Sequence, residues 1–436
     1  FDHLEGGFSR YSVDVKWHVP HFEKMLYDNA QLVSLYADAY LITQNELYKT
    51  TITETLEFVK NNLTNEEGAF YSSLDADSNN ALDELEEGAF YVWQKEELKT
   101  LLETDYELFS DYYNINVYGF WEHDNYVLIR RDDDASIIKK YNLTETELLQ
   151  KKNSWKSILL KERNKRDKPR LDDKSLTSWN ALMLKGYMDA YRVLKNPEYL
   201  EVAERNAHFI INKQLREDGG LNHSYKEGRS TINGYLEDYA TTIEAFLALY
   251  EVTLNETWLY SARDLSNYSF DHFFDEKSKL FFFTSNLDAS LVSRSIEYRD
   301  NVIPASNSIM AKNLFKLSHY FDNKHFAKTA TTMLNNVKPE IVEYGSGYSN
   351  WLDLMMNYTN SYYEVAISGQ DVMSKLNELH QTYLPNILIA GSNKDSNQAL
   401  LKNRYIEDET LIYVCVNNSC KLPVTEIKDA IALLKE

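Results

Sequence analysis

The densest run of chemically capable side chains lies at the start of the sequence: Gly6-Gly-Phe-Ser-Arg10-Tyr11-Ser-Val-Asp14-Val-Lys-Trp17-His18-Val-Pro-His21-Phe-Glu23-Lys-Met-Leu-Tyr27-Asp28. Histidine titrates near neutral pH, so His18 and His21 suit proton removal and return beside a carbonyl. Glu23 and Asp28, with Asp238 far along the chain, suit the two-carboxylate chemistry of glycoside hydrolysis. That chemistry needs a separation of about 5–5.5 Å for retention or about 6.5–9.5 Å for inversion. These five, His18, His21, Glu23, Asp28 and Asp238, are the candidate catalytic residues. Flat aromatic faces and hydroxyl-binding polar groups make Arg10, Tyr11, Trp17, Asp75, Asp77, Asp173, Trp179, Asn180, Tyr239 and Asn307 the candidate substrate-binding residues. Other readings stand beside these. Asp, Ser and Asn are ordinary helix N-caps, and Asp75-x-Asp77 is also an ordinary turn. No metal or other cofactor is expected. His18 and His21 lack an evident third ligand, Asp75-x-Asp77 does not complete a calcium loop, and no histidine lies near the two cysteines.

What positions these groups is an internal repeat. Asp28-Asn-Ala-Gln-Leu-Val-Ser-Leu-Tyr36 lies over Trp179-Asn-Ala-Leu-Met-Leu-Lys-Gly-Tyr187. A second shift sets Asp28 on Asp238, Ala30 on Ala240 and Tyr40 on Tyr250, and a fainter copy begins at Ser306-Asn307. Apolar residues in each copy recur at three- and four-residue steps, which predicts a helix. A short break and a second helix follow, such as 46–62 or 198–215, then a Gly-containing turn. Helical hairpins that cannot bury both faces must stack on one another, and their length fits a closed α/α toroid. The first helices of all copies would then start at one mouth, bringing Asp28, Trp179, Asn180, Asp238 and Asn307 together. On this reading residues 1–360 form the toroid, with an irregular charged insertion at about 82–170 holding helices near 95–104, 105–113 and 144–162. Residues 361–436 read as a small α/β unit with strands at 364–368, 386–390 and 411–415.

Composition narrows the function. The chain has 46 Lys+Arg against 67 Asp+Glu, a net charge of −21, which argues against nucleic acid and anionic membrane partners. No run approaches the roughly 18 apolar residues of a membrane span. The two cysteines, Cys415 and Cys420, are expected to be reduced thiols in a cytoplasmic protein. With no initiator Met, the sequence reads as a fragment or a processed product. The 32 Tyr, 19 Phe and 7 Trp mostly serve packing, though Tyr and Trp near a cleft suit a sugar ring.

The opening run strongly resembles the signature of thioredoxin-domain-containing proteins related to spermatogenesis-associated protein 20. Leu74-Asp-Ala-Asp-Ser, Glu86-Glu-Gly-Ala-Phe-Tyr-Val-Trp93, Leu171-Asp-Asp-Lys, Ser178-Trp-Asn-Ala, Leu236-Glu-Asp-Tyr-Ala and Pro304-Ala-Ser-Asn-Ser match it too. One departure is Asp300-Asn-Val-Ile-Pro-Ala-Ser, where the family usually has Asp-Gly-Ala-x-Pro-Ser-Gly. The resemblance implies an (α/α)6 domain similar to N-acylglucosamine 2-epimerase and six-hairpin glycosidases, with a thioredoxin-like partner domain upstream. It implies a small-molecule or oligosaccharide ligand and a sugar epimerase, isomerase or hydrolase acting in the cleft. The alternative is a non-catalytic module that binds a glycan or peptide beside the redox domain.

Overall fold

The computed structural model describes residues 1–289, 293–416 and 419–434. The protein is mainly α and built of helical hairpins joined by short β loops, as the repeat predicts. Two compact units divide it: residues 1–29, 53–64 and 71–173, and residues 30–52, 65–70 and 174–436. The boundary expected at 360 is not where this division falls. Helices α1 (Leu26–Thr43) and α2 (Glu46–Asn62) contribute residues to both units.

The first unit is no irregular insertion. Its helices α3 (Lys95–Leu102), α4 (Tyr106–Tyr112), α5 (Asp134–Tyr141) and α6 (Glu145–Arg163) close over an aromatic core of Trp93, Phe109, Tyr112, Tyr113 and Trp155. α6 starts at a capping box, in which Thr144 and Glu147 exchange side-chain and backbone bonds. The charged run at 130–134 leads into α5, with Asp133 as its N-cap, a helix the sequence reading does not include. Four small sheets shape the loops. β1 (Tyr11–Ser12) pairs with β2 (Pro20–His21), and β3 (Lys24–Met25) and β4 (Ser73–Leu74) extend to β9 (Leu171–Asp172). β5 (Asp77–Asn79) pairs with β6 (Leu85–Glu87), and β7 (Trp93–Gln94) with β8 (Asn125–Tyr126). The Gly6-Gly7 turn has φ of 82° and 77°, and a Cβ on Gly6 would sit 2.2 Å from the Glu54 carbonyl oxygen. Only glycine fits there.

The second unit carries three hairpins in sequence: α7 (Thr177–Leu194) with α8 (Pro197–Phe209), α9 (Leu236–Thr253) with α10 (Glu256–Phe273), and α11 (Ser306–Phe321) with α12 (Lys324–Ile341). The first helices pack side by side in the order α7, α9, α11. A sheet of β10 (Ser175–Leu176), β11 (Asn222–Lys226) and β12 (Arg229–Asn233) lies at the start of α7 and α9. After α13 (Ser349–Thr359) comes the expected α/β element. β13 (Tyr363–Ser368) runs parallel to β14 (Ile387–Ser392) and antiparallel to β15 (Leu411–Val416), which pairs with β16 (Ser419–Cys420). With α14 (Val372–Leu379) and α15 (Ile427–Leu433) it has its own core of Val365, Ile367, Leu376, Ile412 and Val414. It is nevertheless tied to the hairpins of the same unit, for example by the Tyr320 hydroxyl donating to the Ile389 carbonyl at 2.9 Å.

One expectation is overturned here. Cys415 and Cys420 form a disulfide, so the argument from free thiols to a reducing cytoplasm falls. Among the described residues no helix is long and apolar enough to cross a membrane.

The hairpins solve their helix ends in two ways. Second helices carry their own caps: Asn196, Asn255 and Asn323 each accept a first-turn N–H of α8, α10 and α12. Two first helices, α7 and α11, borrow caps from carboxylates outside themselves. Asp238 accepts the Ser178 N–H at the start of α7, and Glu297 accepts the Ser306 N–H of α11. The departing loop at Asp300 works in the same way. Asp300 accepts the Ala305 N–H and the Ser308 hydroxyl. Neither Asn301 nor Ser306, the positions of the two missing glycines, adopts positive φ, so glycine's conformational freedom is not needed in this loop.

Candidate functional site

In the first unit, the opening run folds into a loop that ends at α1. The Arg10 side chain binds Glu23, with Nη1 3.4 Å from Oε2, and also hydrogen-bonds Tyr27. His21 Nδ1 lies 2.8 Å from Glu87 Oε1, and its Nε2 is 3.7 Å from Glu23. Tyr11 stacks on the His21 ring at 4.9 Å. Asp28 stands at the first turn of α1, half-buried, and its Oδ2 has no hydrogen-bond partner among the described residues. Burial raises its pKa from 3.8 to about 7; Arg10 opposes the shift and Glu23 adds to it. A carboxyl that holds its proton near neutral pH is equipped as a general acid.

The second unit holds a second acid–base cluster, centred on Asp238 in the first turn of α9. Asp238 is fully buried. Its Oδ1 accepts the Ser178 N–H at 2.9 Å, its Oδ2 accepts the Tyr235 N–H at 2.9 Å, and His223 Nδ1 lies 2.9 Å from Oδ2. One carboxylate thus joins the starts of α7 and α9 to a histidine on β11. Asp238 and Glu237 raise the His223 pKa against the opposing effect of burial. His223 Nε2 has no hydrogen-bond partner among the described residues, and its side chain is 14% exposed. Next to it Glu237 is pushed from 4.5 to about 8 by burial first, then by the charges of Asp238 and Glu297. His223, Glu237 and Asp238 each bring a ligand atom within 4.8 Å of the others. Both Asp238 oxygens already accept backbone N–H groups and face His223, so the arrangement reads as proton-handling more readily than as a cation cage. Aromatic rings flank it: Tyr235 lies 4.8 Å from His223 and stacks on Phe283 at 5.0 Å.

The structure therefore brings Arg10, Tyr11, His21, Glu23 and Asp28 into one cluster and Asp238 into another. His18 is half-buried beside them in sequence, held through its backbone N–H by Asp14, with its Nε2 buried and unpartnered. Trp17 is 84% exposed. Asp75 pairs with Arg170 at 3.2 Å, Asp77 is the register partner of Glu87, and Asp173 and Trp179 are half-buried.

Three expected ligand contacts are instead parts of the scaffold. Asn180, Tyr239 and Asn307 are fully buried. Asn180 accepts the Phe70 N–H at 2.7 Å and donates to the Phe70 carbonyl at 3.0 Å. Asn307 does the same with Phe281, and Tyr239 accepts the Leu221 N–H. Asn29 grips Phe8 in the same manner. The repeated position in the first turn of each first helix is a clamp on a neighbouring segment, which satisfies backbone groups that burial would otherwise strand. The residues that sequence reading missed are His223, Glu237, Glu297 and Glu87. The signal for Glu237 was its place beside a repeated acidic position. His223 sits in the short segment after a Gly turn, where nothing in its spacing points to Asp238.

No protein-family model matches the chain. It is 28% identical over 98% of its length to human spermatogenesis-associated protein 20, of which it spans 59%. It is also 28% identical over 98% of its length to an uncharacterised protein of Caenorhabditis elegans, of which it spans 63%. The chain thus spans about three fifths of the length of these relatives. Similar solved structures include a cellobiose 2-epimerase from Bacillus thermoamylovorans, at 13% identity and a TM-score of 0.48, covering 77% of this chain and 66% of that one. Another is a family 76 α-mannanase from Bacteroides thetaiotaomicron, at 11% identity and a TM-score of 0.43, covering 82% and 73% respectively.

Proposed function

We propose that this chain is a carbohydrate-processing enzyme of the epimerase or isomerase type, acting on a sugar with a free carbonyl. The observation that carries the proposal is His223 held by Asp238 with protonated Glu237 beside it. In this reading His223 Nε2 removes the proton from the carbon next to the carbonyl. Glu237 donates to the carbonyl oxygen as the enediol forms. Asp238 fixes the imidazole and stabilises the imidazolium, and Tyr235 and Phe283 offer the ring a flat apolar face.

A second reading, hydrolysis, is favoured by one observation: Glu237 keeps its proton near neutral pH, as the general acid of a glycosidase must. A single experiment separates the two. The chain is incubated with reducing mono- and disaccharides in D2O and followed by NMR and mass spectrometry. Epimerisation or isomerisation incorporates deuterium at the carbon beside the carbonyl; hydrolysis releases new reducing ends without it. Glu237→Gln and His223→Asn are expected to lower exchange by about 10²–10⁴-fold. Sugars that raise the melting temperature with neither outcome would leave a binding module, with the proposed thioredoxin-like partner domain doing the chemistry.

A further inference from the structure

The disulfide lies at the edge of the α/β sheet, where the β15–β16 register sets Cys415 opposite Cys420. Cys415 is 1% exposed and Cys420 is on the surface. A guanidinium is laid against the bond: Arg404 Nη2 is 3.4 Å from Cys415 Sγ and 3.3 Å from Cys420 Sγ. Disulfide sulfurs are weak acceptors, so they compensate this cation poorly. Arg404 Nη1 is buried with no hydrogen-bond partner among the described residues, and burial lowers the pKa of the group. The other groups facing it do little to help. Tyr413 offers its ring at 4.8 Å, and Glu364, the register partner of Cys415, is bonded to His319 at 2.7 Å. The charge Arg404 lacks is the one a cysteine thiolate carries.

We propose that Cys415–Cys420 is a thiol–disulfide exchange site for a dithiol reductant, with Cys420 Sγ attacked and Cys415 Sγ leaving as a thiolate held by Arg404. The incoming thiolate forms a bond to Cys420 Sγ, and the Cys415–Cys420 bond breaks with its electron pair moving to Cys415 Sγ. The second thiol of the reductant, once deprotonated, attacks the mixed disulfide and releases Cys420 as a thiolate. The protein gains two electrons and, with two protons, ends as a dithiol; the reductant ends as a disulfide. Exchange is faster when the departing sulfur has a lowered pKa, and a neighbouring arginine lowers it. Buried Cys415 is the protected leaving group and exposed Cys420 the accessible electrophile, so the site has a direction.

The test uses the whole folded chain, isolated without reductant. Dithiothreitol is added, aliquots are quenched with N-ethylmaleimide, and doubly alkylated protein is followed by mass spectrometry. A dithiol protein of the Cys-x-x-Cys kind, at equal thiol concentration, forms a second arm and separates a protein donor from a small-molecule one. Both thiols are expected to appear without loss of the melting transition. Arg404→Gln, which keeps much of the shape without the charge, is expected to slow opening roughly three- to tenfold. If melting shows that this variant loosens the sheet, Arg404→Lys is read instead, and it should retain a rate close to wild type. Three results would overturn the proposal: two free thiols in the protein as isolated, a disulfide that opens only after unfolding, or a folded Arg404→Gln variant reduced as fast as wild type.

Discussion

Burial gives two carboxyl groups of this protein a titration range that carboxylates in water do not have. Asp28 carries its proton up to about pH 7 and Glu237 up to about pH 8. A carboxyl whose folded pKa is raised binds its proton more tightly folded than unfolded. Its burial therefore costs nothing below the unfolded value and destabilises progressively as pH rises through the folded value. Asp28→Asn removes that penalty. Its melting temperature relative to wild type is expected to rise between about pH 4 and 8, read by calorimetry at several pH values. Turnover is expected to fall off above about pH 8 as Glu237 ionises, and Glu237→Gln should abolish that limb together with most of the activity. Asp238 behaves differently. From the sequence, Asn at this position keeps a capping oxygen and should cost little. Both of its oxygens in fact face N–H donors, so an amide would point its NH2 at one of them. Asp238→Asn is expected to destabilise by about 1–3 kcal/mol in urea unfolding, the cost of a buried unmet donor.

At the scale of elements, each hairpin is completed by a side chain that reaches out of its first helix. Asn29, Asn180 and Asn307 each hold both backbone groups of a phenylalanine, and Tyr239 holds one backbone group of Leu221. Asn180→Ala leaves the Phe70 N–H and carbonyl unpaired in a buried place. A loss of about 2–4 kcal/mol is expected from denaturant unfolding. Asn180→Asp should be nearly as damaging, because it keeps the acceptor and loses the donor. Had Asn180 served a ligand, both variants would melt like wild type and fail only in binding.

At the scale of the whole molecule, the two units are held by different physics. In the first, Lys24 and Arg163 are buried at 1% exposure and meet Asp2 at 2.9 Å each, and Arg163 also meets Glu5 at 2.8 Å. Burial opposes the charge on Asp2, but Arg163 and Lys24 outweigh it and hold its pKa well below 3.8. The linkage sign is therefore opposite to that of Asp28: this stabilisation is present above the unfolded value and is lost as pH falls below it. Acid is expected to expose residues 71–173 to protease, and Arg163→Met should flatten that pH dependence. Glu5 left unpaired would weaken the variant at neutral pH as well. In the second unit, the three successive hairpins are joined by apolar packing, by the asparagine and tyrosine clamps, and by half-buried ion pairs such as Lys316 of α11 with Glu251 of α9 at 3.2 Å.

The sequence by itself determined the elements. Three- and four-residue apolar spacing set α2 and the start of α8, the repeat placed the first turns of α1, α7, α9 and α11, and short apolar runs set β13 to β15, because these patterns are local consequences of helix and strand geometry. It also located the first-helix starts, where Asp28 and Asp238 stand. Only the tertiary structure decided what those positions do. Neighbouring residues of one repeat, Asp238 and Tyr239, point to opposite tasks: one joins a histidine and the other clamps a backbone. His223 meets Asp238 only because β11 folds back onto the start of α9. Cys415 and Cys420 become a disulfide only because β15 and β16 pair in register. Burial is the common reason. It sets pKa, satisfies or strands a polar group, and chooses a partner, and it is a property of what surrounds a residue rather than of what precedes it in the chain.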